Sequence, residues 1–341
     1  MAAETTIPKH MMENLEVFAC PGCGGDLAVQ GDRIVCRGCA AAFGVENGIP
    51  LLFWPNQWEG SREDVTERIK AFYEETPFPN YEEFESISDL VQKAQRGVFA
   101  RLLNEQVPFN TRVLEAGCGT GQLSNFLGVA HRTVFGTDMC LNSLKLGHEF
   151  QRSNSLERVG FYQMNLFRPI FREQSFHLVI CNGVLHHTGD PFAGFRSLAK
   201  LVKRGGYVII GLYNTYGRLT TDFRRVVFNL LNDRLKFLDP RLRDVSVGDV
   251  RKMTWFKDQY KNPHESKHTI GQVLRWFDRT GFDFISSIPQ AKAFERFTQN
   301  EQLFQVKPSG SWVDHLLVQG NLMFTGSKEG GFFVMIGRRR A

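Results

Sequence analysis

Two clusters of residues in this 341-residue chain have the types and the spacing to do chemistry. The first is Glu115-Ala116-Gly117-Cys118-Gly119-Thr120-Gly121, which follows the short apolar strand Arg112-Val113-Leu114. An acidic residue and then glycines at alternate positions describe a strand running into a turn. Glycine has no Cβ and tolerates positive φ, so a ligand can approach the backbone of such a turn closely. The pattern is G-x-G-x-G; it lacks the G-x-G-x-x-G spacing of dinucleotide sites and the lysine of a phosphate loop. A carboxylate here would repel a pyrophosphate and suit an ammonium. The second cluster is Cys20-Pro21-Gly22-Cys23 and Cys36-Arg37-Gly38-Cys39, two C-x-x-C pairs with 12 residues between Cys23 and Cys36. Four thiolates on two tight turns suit a closed, structural, tetrahedral Zn²⁺ site. Glycines beside the pairs leave room for amide N–H groups to point at sulfur. Redox-active disulfides are the competing reading of such pairs.

The first cluster needs a scaffold, and the following segments describe one. Thr133–Asp138, Phe161–Leu166, Phe176–Asn182 and Gly206–Leu212 read as strands, the last after a Lys203-Arg204-Gly205-Gly206 turn. Phe282–Ile288 and Phe332–Ile336 complete a set of seven. Leu141–Phe150, Pro191–Lys203 and Thr269–Thr280 read as helices between them. Alternating strands and helices predict an α/β fold, a doubly wound, mostly parallel seven-stranded sheet, preceded by a small N-terminal zinc ribbon. Asp138 ends the second strand, where doubly wound folds place an acceptor for ribose hydroxyls; it could equally cap the next helix. A ligand with both an amine and a nucleoside points to S-adenosylmethionine.

Residues 111–212 resemble the core of the class I S-adenosylmethionine-dependent methyltransferases, through E-A-G-C-G-T-G, G-T-D-M at 136–139 and C-N-G-V-L-H-H at 181–187. The last segment is similar to that of small-molecule methyltransferases, including those of ubiquinone and menaquinone biosynthesis. The resemblance implies a Rossmann-like methyltransferase fold. It places Gly117, Cys118, Gly119 and Gly121 along the cofactor's methionine part, with Glu115 near its ammonium. It places Asp138 on the ribose, Met139 against adenine and Asn182 beside the cofactor. Asn165, followed by Leu166, stands where many members carry an acidic residue, and its carbonyl oxygen can still accept from the adenine amine. The cysteine block, with a hairpin over Asp26–Val35 turning at Gly31-Asp32, resembles the small zinc-ribbon protein that activates RNA and protein methyltransferases, here fused in cis.

The chain divides into a tail and zinc ribbon (1–55), a helical lead-in or lid (56–108) and a methyltransferase domain (109–341) with insertions at about 214–268 and 289–330. Ser61–Tyr73 and Ile87–Val107 are periodic enough for helices, and Pro77 and Pro79 forbid helix between them. Tyr73, Phe78 and Tyr81 are candidate lid aromatics, or a latch without ligand contact. Methyl transfer from a sulfonium is an in-line displacement that relies on positioning; a base is needed only where the acceptor must lose a proton. His186 and His187 are the candidates for that base, or solvated loop residues capping the next helix. Tyr213 would face the same cleft, and His264 and His268 could contact substrate. Alternatively Ser266 or Thr269 caps the helix that follows.

Charge and composition narrow the function classes. The 23% charged and 42% hydrophobic content is ordinary for a globular protein. No apolar run is long enough to span a membrane and Met1–Leu15 lacks a signal-peptide core. The free thiols Cys118, Cys140 and Cys181 suggest a reducing compartment, and the expectation is cytoplasmic. The net charge is +5, and residues 214–261 carry 11 basic against 6 acidic side chains. That segment could bind RNA phosphate or form a solvated helix face. The expected activity is methylation of a small-molecule acceptor. RNA or protein methylation is the alternative, although no N-P-P-Y-type tetrapeptide follows the fourth strand. A catalytically silent scaffold is the third class.

Overall fold

The computed structural model describes residues 6–56, 64–75, 86–231, 239, 242–243, 248–325 and 331–341. After a short helix α1 (Lys9–Glu13), the N-terminal region forms β1 (Leu27–Gln30), β2 (Arg33–Cys36) and β3 (Ala42–Phe43) as one antiparallel sheet, then β4 (Val45–Glu46) and β5 (Ile49–Pro50) as a second hairpin. Gly31 takes φ +62° in the β1–β2 turn, as a two-residue hairpin loop requires.

The lead-in holds α2 (Thr66–Glu75), α3 (Ile87–Arg96) and α4 (Val98–Gln106). The single helix expected over Ile87–Val107 is two, because Gly97 adopts extended backbone between them. Phe78 and Tyr81 lie outside the described residues.

The main domain runs β6 (Arg112–Ala116), α5 (Gln122–Val129), β7 (Thr133–Asp138), α6 (Leu141–Ser153), β8 (Val159–Gln163), β9 (Phe176–Asn182), α7 (Pro191–Ala199) and β10 (Val202–Tyr213). There follow α8 (Leu219–Leu230), α9 (Asp249–Phe256), a π-helical turn at Lys257–Lys261, α10 (Ile270–Thr280), β11 (Phe282–Ile288), α11 (Trp312–Thr325) and β12 (Phe332–Arg339). Three expectations shift. The third strand ends at Gln163, so Asn165 and Leu166 sit in the turn beyond it. Residues 203–206, expected as a turn before the fifth strand, form an irregularity within β10. The helix expected to reach Lys203 stops at Ala199.

The sheet order is β11-β12-β10-β9-β6-β7-β8. β8, β7, β6, β9 and β10 are parallel, and β12 runs antiparallel between β10 and β11. This is the expected doubly wound seven-stranded sheet of the Rossmann-like methyltransferase fold. From β6 the chain winds one way to β7 and β8, and then the other way through β9 and β10. The strand order therefore reverses between β6 and β9, and the crevice at their carboxyl ends is where such sheets bind ligands.

One hydrophobic core lies on each face of the sheet. Leu90, Leu102 and Leu103 of α3 and α4 join Val113, Ile180 and Ile209 on one face. The N-terminal region joins the other, where Phe18 meets Phe135, Tyr162 and Phe171 at ring distances of 5.0–5.9 Å. Phe126 and Phe161 are buried in the first of these cores and Phe176 and Phe195 in the second, whereas Phe223, Phe294 and Phe324 are exposed.

Candidate functional site

Glycine conformation shapes the floor of the site. Gly117, Gly119 and Gly121 all have positive φ (+76°, +54° and +71°). A Cβ at Gly117 would overlap Val184 in the loop after β9, so this glycine lets two loops meet. Gly121 is the N-cap of α5, with no side chain capping the helix. A cavity of about 700 Å³ opens above this turn at the carboxyl ends of β6, β7, β9 and β10. Helices α2, α3 and α4 contribute Tyr73, Leu90 and Ala100 to its wall.

Most of the residues expected to hold a cofactor are brought together here. Glu115, Gly117, Cys118, Gly119, Asp138, Met139, Asn165, Leu166 and Asn182 all line the cavity, whereas Gly121 does not. Glu115 is buried and its carboxylate accepts from Ser124 Oγ. Burial, with repulsion from Asp138, pushes its carboxyl up to about 7, against the opposing hydrogen bonds from Ser124. Asp138 accepts from the backbone N–H of Gly119 and of Cys140, each at 2.9 Å. It does not cap α6: Glu74 of α2 reaches across to accept from Leu141 N (2.8 Å) and Asn142 N (3.1 Å). Among the described residues Asn182 Oδ1 meets no hydrogen-bond partner; it is buried and lies over Gly211, where a Cβ would overlap it. Asn165 differs from the expectation. Its Oδ1 accepts from Phe167 N (3.0 Å), while Nδ2 donates to Trp54 O (2.9 Å) and Asn56 Oδ1 (2.7 Å).

The far end of the cavity is built by the loop after β9, the end of β10 and the inserted segment. His186 and His187 are both buried in a one-turn 3₁₀ helix, which corrects the solvated-loop reading; Asp190, not either histidine, caps α7 through Ala193 N (3.0 Å). His187 lines the cavity, whereas His186 packs behind it against Tyr213 at 4.1 Å. Tyr73 OH donates to Asp258 Oδ1 (2.7 Å) and accepts from Asn262 Nδ2 (2.9 Å). Gln259 Nε2 donates to Tyr213 OH (2.5 Å) and Asp258 Oδ2 (2.9 Å). Burial raises the phenols of Tyr73 and Tyr213, so both stay protonated.

His264 and His268, expected as substrate contacts, do not line the cavity. His268 bonds Ser266 Oγ (2.9 Å) and Gln272 Oε1 (3.2 Å), and Thr269 caps α10. Asp258 and Gln259 were missed. Nothing in chain order separates them from the interleaved acids of the basic segment, and only the π-helical turn aims them inward.

At the N-terminus, the Sγ atoms of Cys20, Cys23, Cys36 and Cys39 lie within 4.8 Å of one another. Two pairs are separated by 3.7 and 3.5 Å, near the edge of roughly 3.8 Å expected for a tetrahedron with 2.3 Å metal–sulfur bonds. Gly25 N and Gly38 N point at Cys23 and Cys36 sulfur at 3.4 and 3.3 Å, so the donor set fits zinc.

The sheet order, the glycine turn at its switch point and the acidic pair above it define a Rossmann-like methyltransferase. A methyltransferase-domain family model matches residues 114–210. The chain is 30% identical over 178 residues to the ubiquinone biosynthesis O-methyltransferase of Nitrosospira multiformis, covering 47% of this chain and 70% of that one. It is 27% identical over 201 residues to an uncharacterized Synechococcus protein, covering 51% and 48%. A chain from the Haloferax volcanii complex of the Trm112 methyltransferase activator with a methyltransferase is similar at 11% identity and a TM-score of 0.46, covering 82% of this chain and all of that one. The chain belongs to the S-adenosylmethionine-dependent methyltransferase family. It spans about half the length or less of several of the curated relatives it matches (48%, 43% and 44%).

Proposed function

We propose that the protein transfers a methyl group from S-adenosylmethionine to a small-molecule acceptor held in the same cavity. The observation that carries this reading is the continuity of that cavity. Its lining runs from the glycine turn, Glu115 and Asp138 to His187, Tyr213 and Asp258. Its size lies within the range of sites that enclose small ligands, roughly 300–1,000 Å³. Glu115 offers a carboxylate for an ammonium, and Asp138 keeps lone pairs for ribose hydroxyls. Met139 and Leu166 offer apolar contact to a base. When bound, the cofactor supplies an electrophilic methyl group on a sulfonium. The chain's contribution is to orient the acceptor and to exclude water, with α2, α3 and α4 as the cover. The names of relatives such as the Nitrosospira O-methyltransferase support oxygen as the methylated atom. Cys20, Cys23, Cys36 and Cys39 would hold a structural Zn²⁺.

RNA or protein remains the second acceptor class, motivated by the ribbon and the basic segment. Within that segment Arg218 and Arg225 both pair with Glu265, and Asp222 pairs with Lys267 just beyond it, which leaves fewer cations for a phosphate backbone. The test is calorimetric titration of S-adenosylmethionine and S-adenosylhomocysteine into zinc-loaded protein, with Asp138→Ala alongside. Micromolar binding that collapses in the variant is the expected result. Absence of binding to well-folded protein would overturn the reading, and salt-sensitive RNA binding would move the acceptor to nucleic acid.

A further inference from the structure

His187 is the one imidazole that lines the cavity, and its surroundings define its protonation. Its Nδ1 lies 2.9 Å from the backbone carbonyl of His264. A carbonyl only accepts, so Nδ1 carries the proton, and in the neutral ring Nε2 is a bare acceptor. Among the described residues no hydrogen-bond partner meets Nε2, and it is not among the sealed polar atoms, unlike both nitrogens of His186. A merely structural histidine would satisfy both nitrogens or bury the second; this one leaves its acceptor edge to the cavity.

We propose that His187 is the general base of the acceptor site and that the acceptor presents a hydroxyl group to its Nε2. The inference rests on the methyltransferase reading and deepens it. As the acceptor oxygen forms its bond to the methyl carbon, the carbon–sulfur bond breaks and its electron pair stays on sulfur. The hydroxyl proton passes to Nε2, so the positive charge lost by the sulfonium reappears on the imidazolium, from which solvent later removes the proton. The groups facing the ring suit this cycle. Burial holds the imidazole below its usual range, so it is neutral and able to accept above pH 6.5. Asp258 from the π-helical turn and Glu265 from the loop before α10 favour the cation once formed, while Arg218 at the start of α8 opposes it. Tyr73, His186 and Tyr213 fill the remaining sides as neutral rings at 6.1, 4.2 and 6.1 Å. A neutral imidazole is a weak base, so an acidic hydroxyl, phenolic or enolic, fits better than an alkanol.

The test uses full-length, zinc-loaded protein with ¹⁵N-labelled imidazoles and long-range ¹H–¹⁵N spectra, His187 being assigned from the His187→Gln spectrum. At pH 7.5 the expected signal is the Nδ1–H tautomer with unprotonated Nε2, titrating below pH 6.5. Asp258→Asn should move that titration to lower pH, because it removes the charge that favours the cation. With S-adenosylhomocysteine bound, catechol, a phenol that keeps its protons at pH 7.5, should shift the Nε2 resonance as the hydroxyl probe. Its methylation from S-adenosylmethionine should lose on the order of 10²–10⁴-fold in kcat in His187→Gln, with little change in KM. The Nε2–H tautomer, an imidazolium at pH 7.5, or a probe that is methylated equally by the variant would overturn the proposal. Failure to bind S-adenosylhomocysteine at all would instead overturn the methyltransferase reading beneath it.

Discussion

Glu115, one residue before the end of β6, has a buried carboxyl that is bonded to Ser124 and near Asp138. With its carboxyl at about 7, it is substantially protonated below neutral pH in the ligand-free protein. A cationic ligand group would favour its ionised form, so affinity for S-adenosylmethionine should rise as pH increases through about 7. Glu115→Gln should flatten that rise, and calorimetric titrations between pH 6 and 8.5 check it. The linked stability has the opposite direction. The folded state holds the proton more tightly than the unfolded chain, so the stabilisation is complete below the ordinary carboxyl range and fades as pH rises through about 7. An affinity independent of pH in the parent protein would rule out Glu115 as the ammonium partner.

At the scale of elements, the lead-in is tied to the sheet at chemically specific points. Glu74 at the end of α2 caps α6 by accepting from two of its free N–H groups, and Tyr73 in the same turn bonds Asp258. Loss of a helix cap costs about 0.5–2 kcal/mol. Glu74→Ala should therefore lower stability by that amount, and the greater effect should be local, with faster amide exchange along α2 and the first turn of α6. Uniform exchange changes across the protein would instead mean that α2 opens only with global unfolding. Gly97 makes a different contribution: by parting α3 from α4 it brings both helices to the cavity wall.

At the scale of the whole molecule, the N-terminal region closes the β8 edge of the sheet. Leu51 pairs in parallel with Gln163, and Phe18 pairs with Phe171. An uncovered edge strand is a template for association, so this docking also guards against aggregation. The same exit segment holds Asn165 through Trp54 O and Asn56 Oδ1, and Asn165 lines the cavity. Zinc removal by a chelator should thus lower the melting temperature and promote aggregation. It should also weaken S-adenosylhomocysteine binding several-fold, as expected from the loss of about 1 kcal/mol of hydrogen bonding that orients Asn165. Scanning calorimetry and titration with and without chelator test both effects. Unchanged cofactor affinity in the metal-free protein would separate the ribbon from the site.

The strands β7, β9 and β11 were legible to the residue: β7 and β9 are buried parallel strands, short apolar runs with sharp boundaries, and β11, the antiparallel edge strand, is bounded by Gly281 and Pro289. The glycine turn, Asp138 and the four cysteines were legible for a related reason: their chemistry depends on short-range spacing, which chain order preserves. The burial of His186 and His187 was not, since the segments that cover them, from α2 and residues 258–268, lie far off in sequence. Nor was the cap of α6, which comes from residue 74 and not from a neighbour. Asn165 reads alone as an adenine contact, and only the fold shows its amide committed to Trp54 and Asn56. The sequence by itself determined the class of sheet, the cysteine set and the residues that could meet a cofactor, because periodicity and local turns encode these. Tertiary structure alone decided which polar side chains face the cavity and which hydrogen bonds orient them, because those are contacts between distant segments that no local pattern carries.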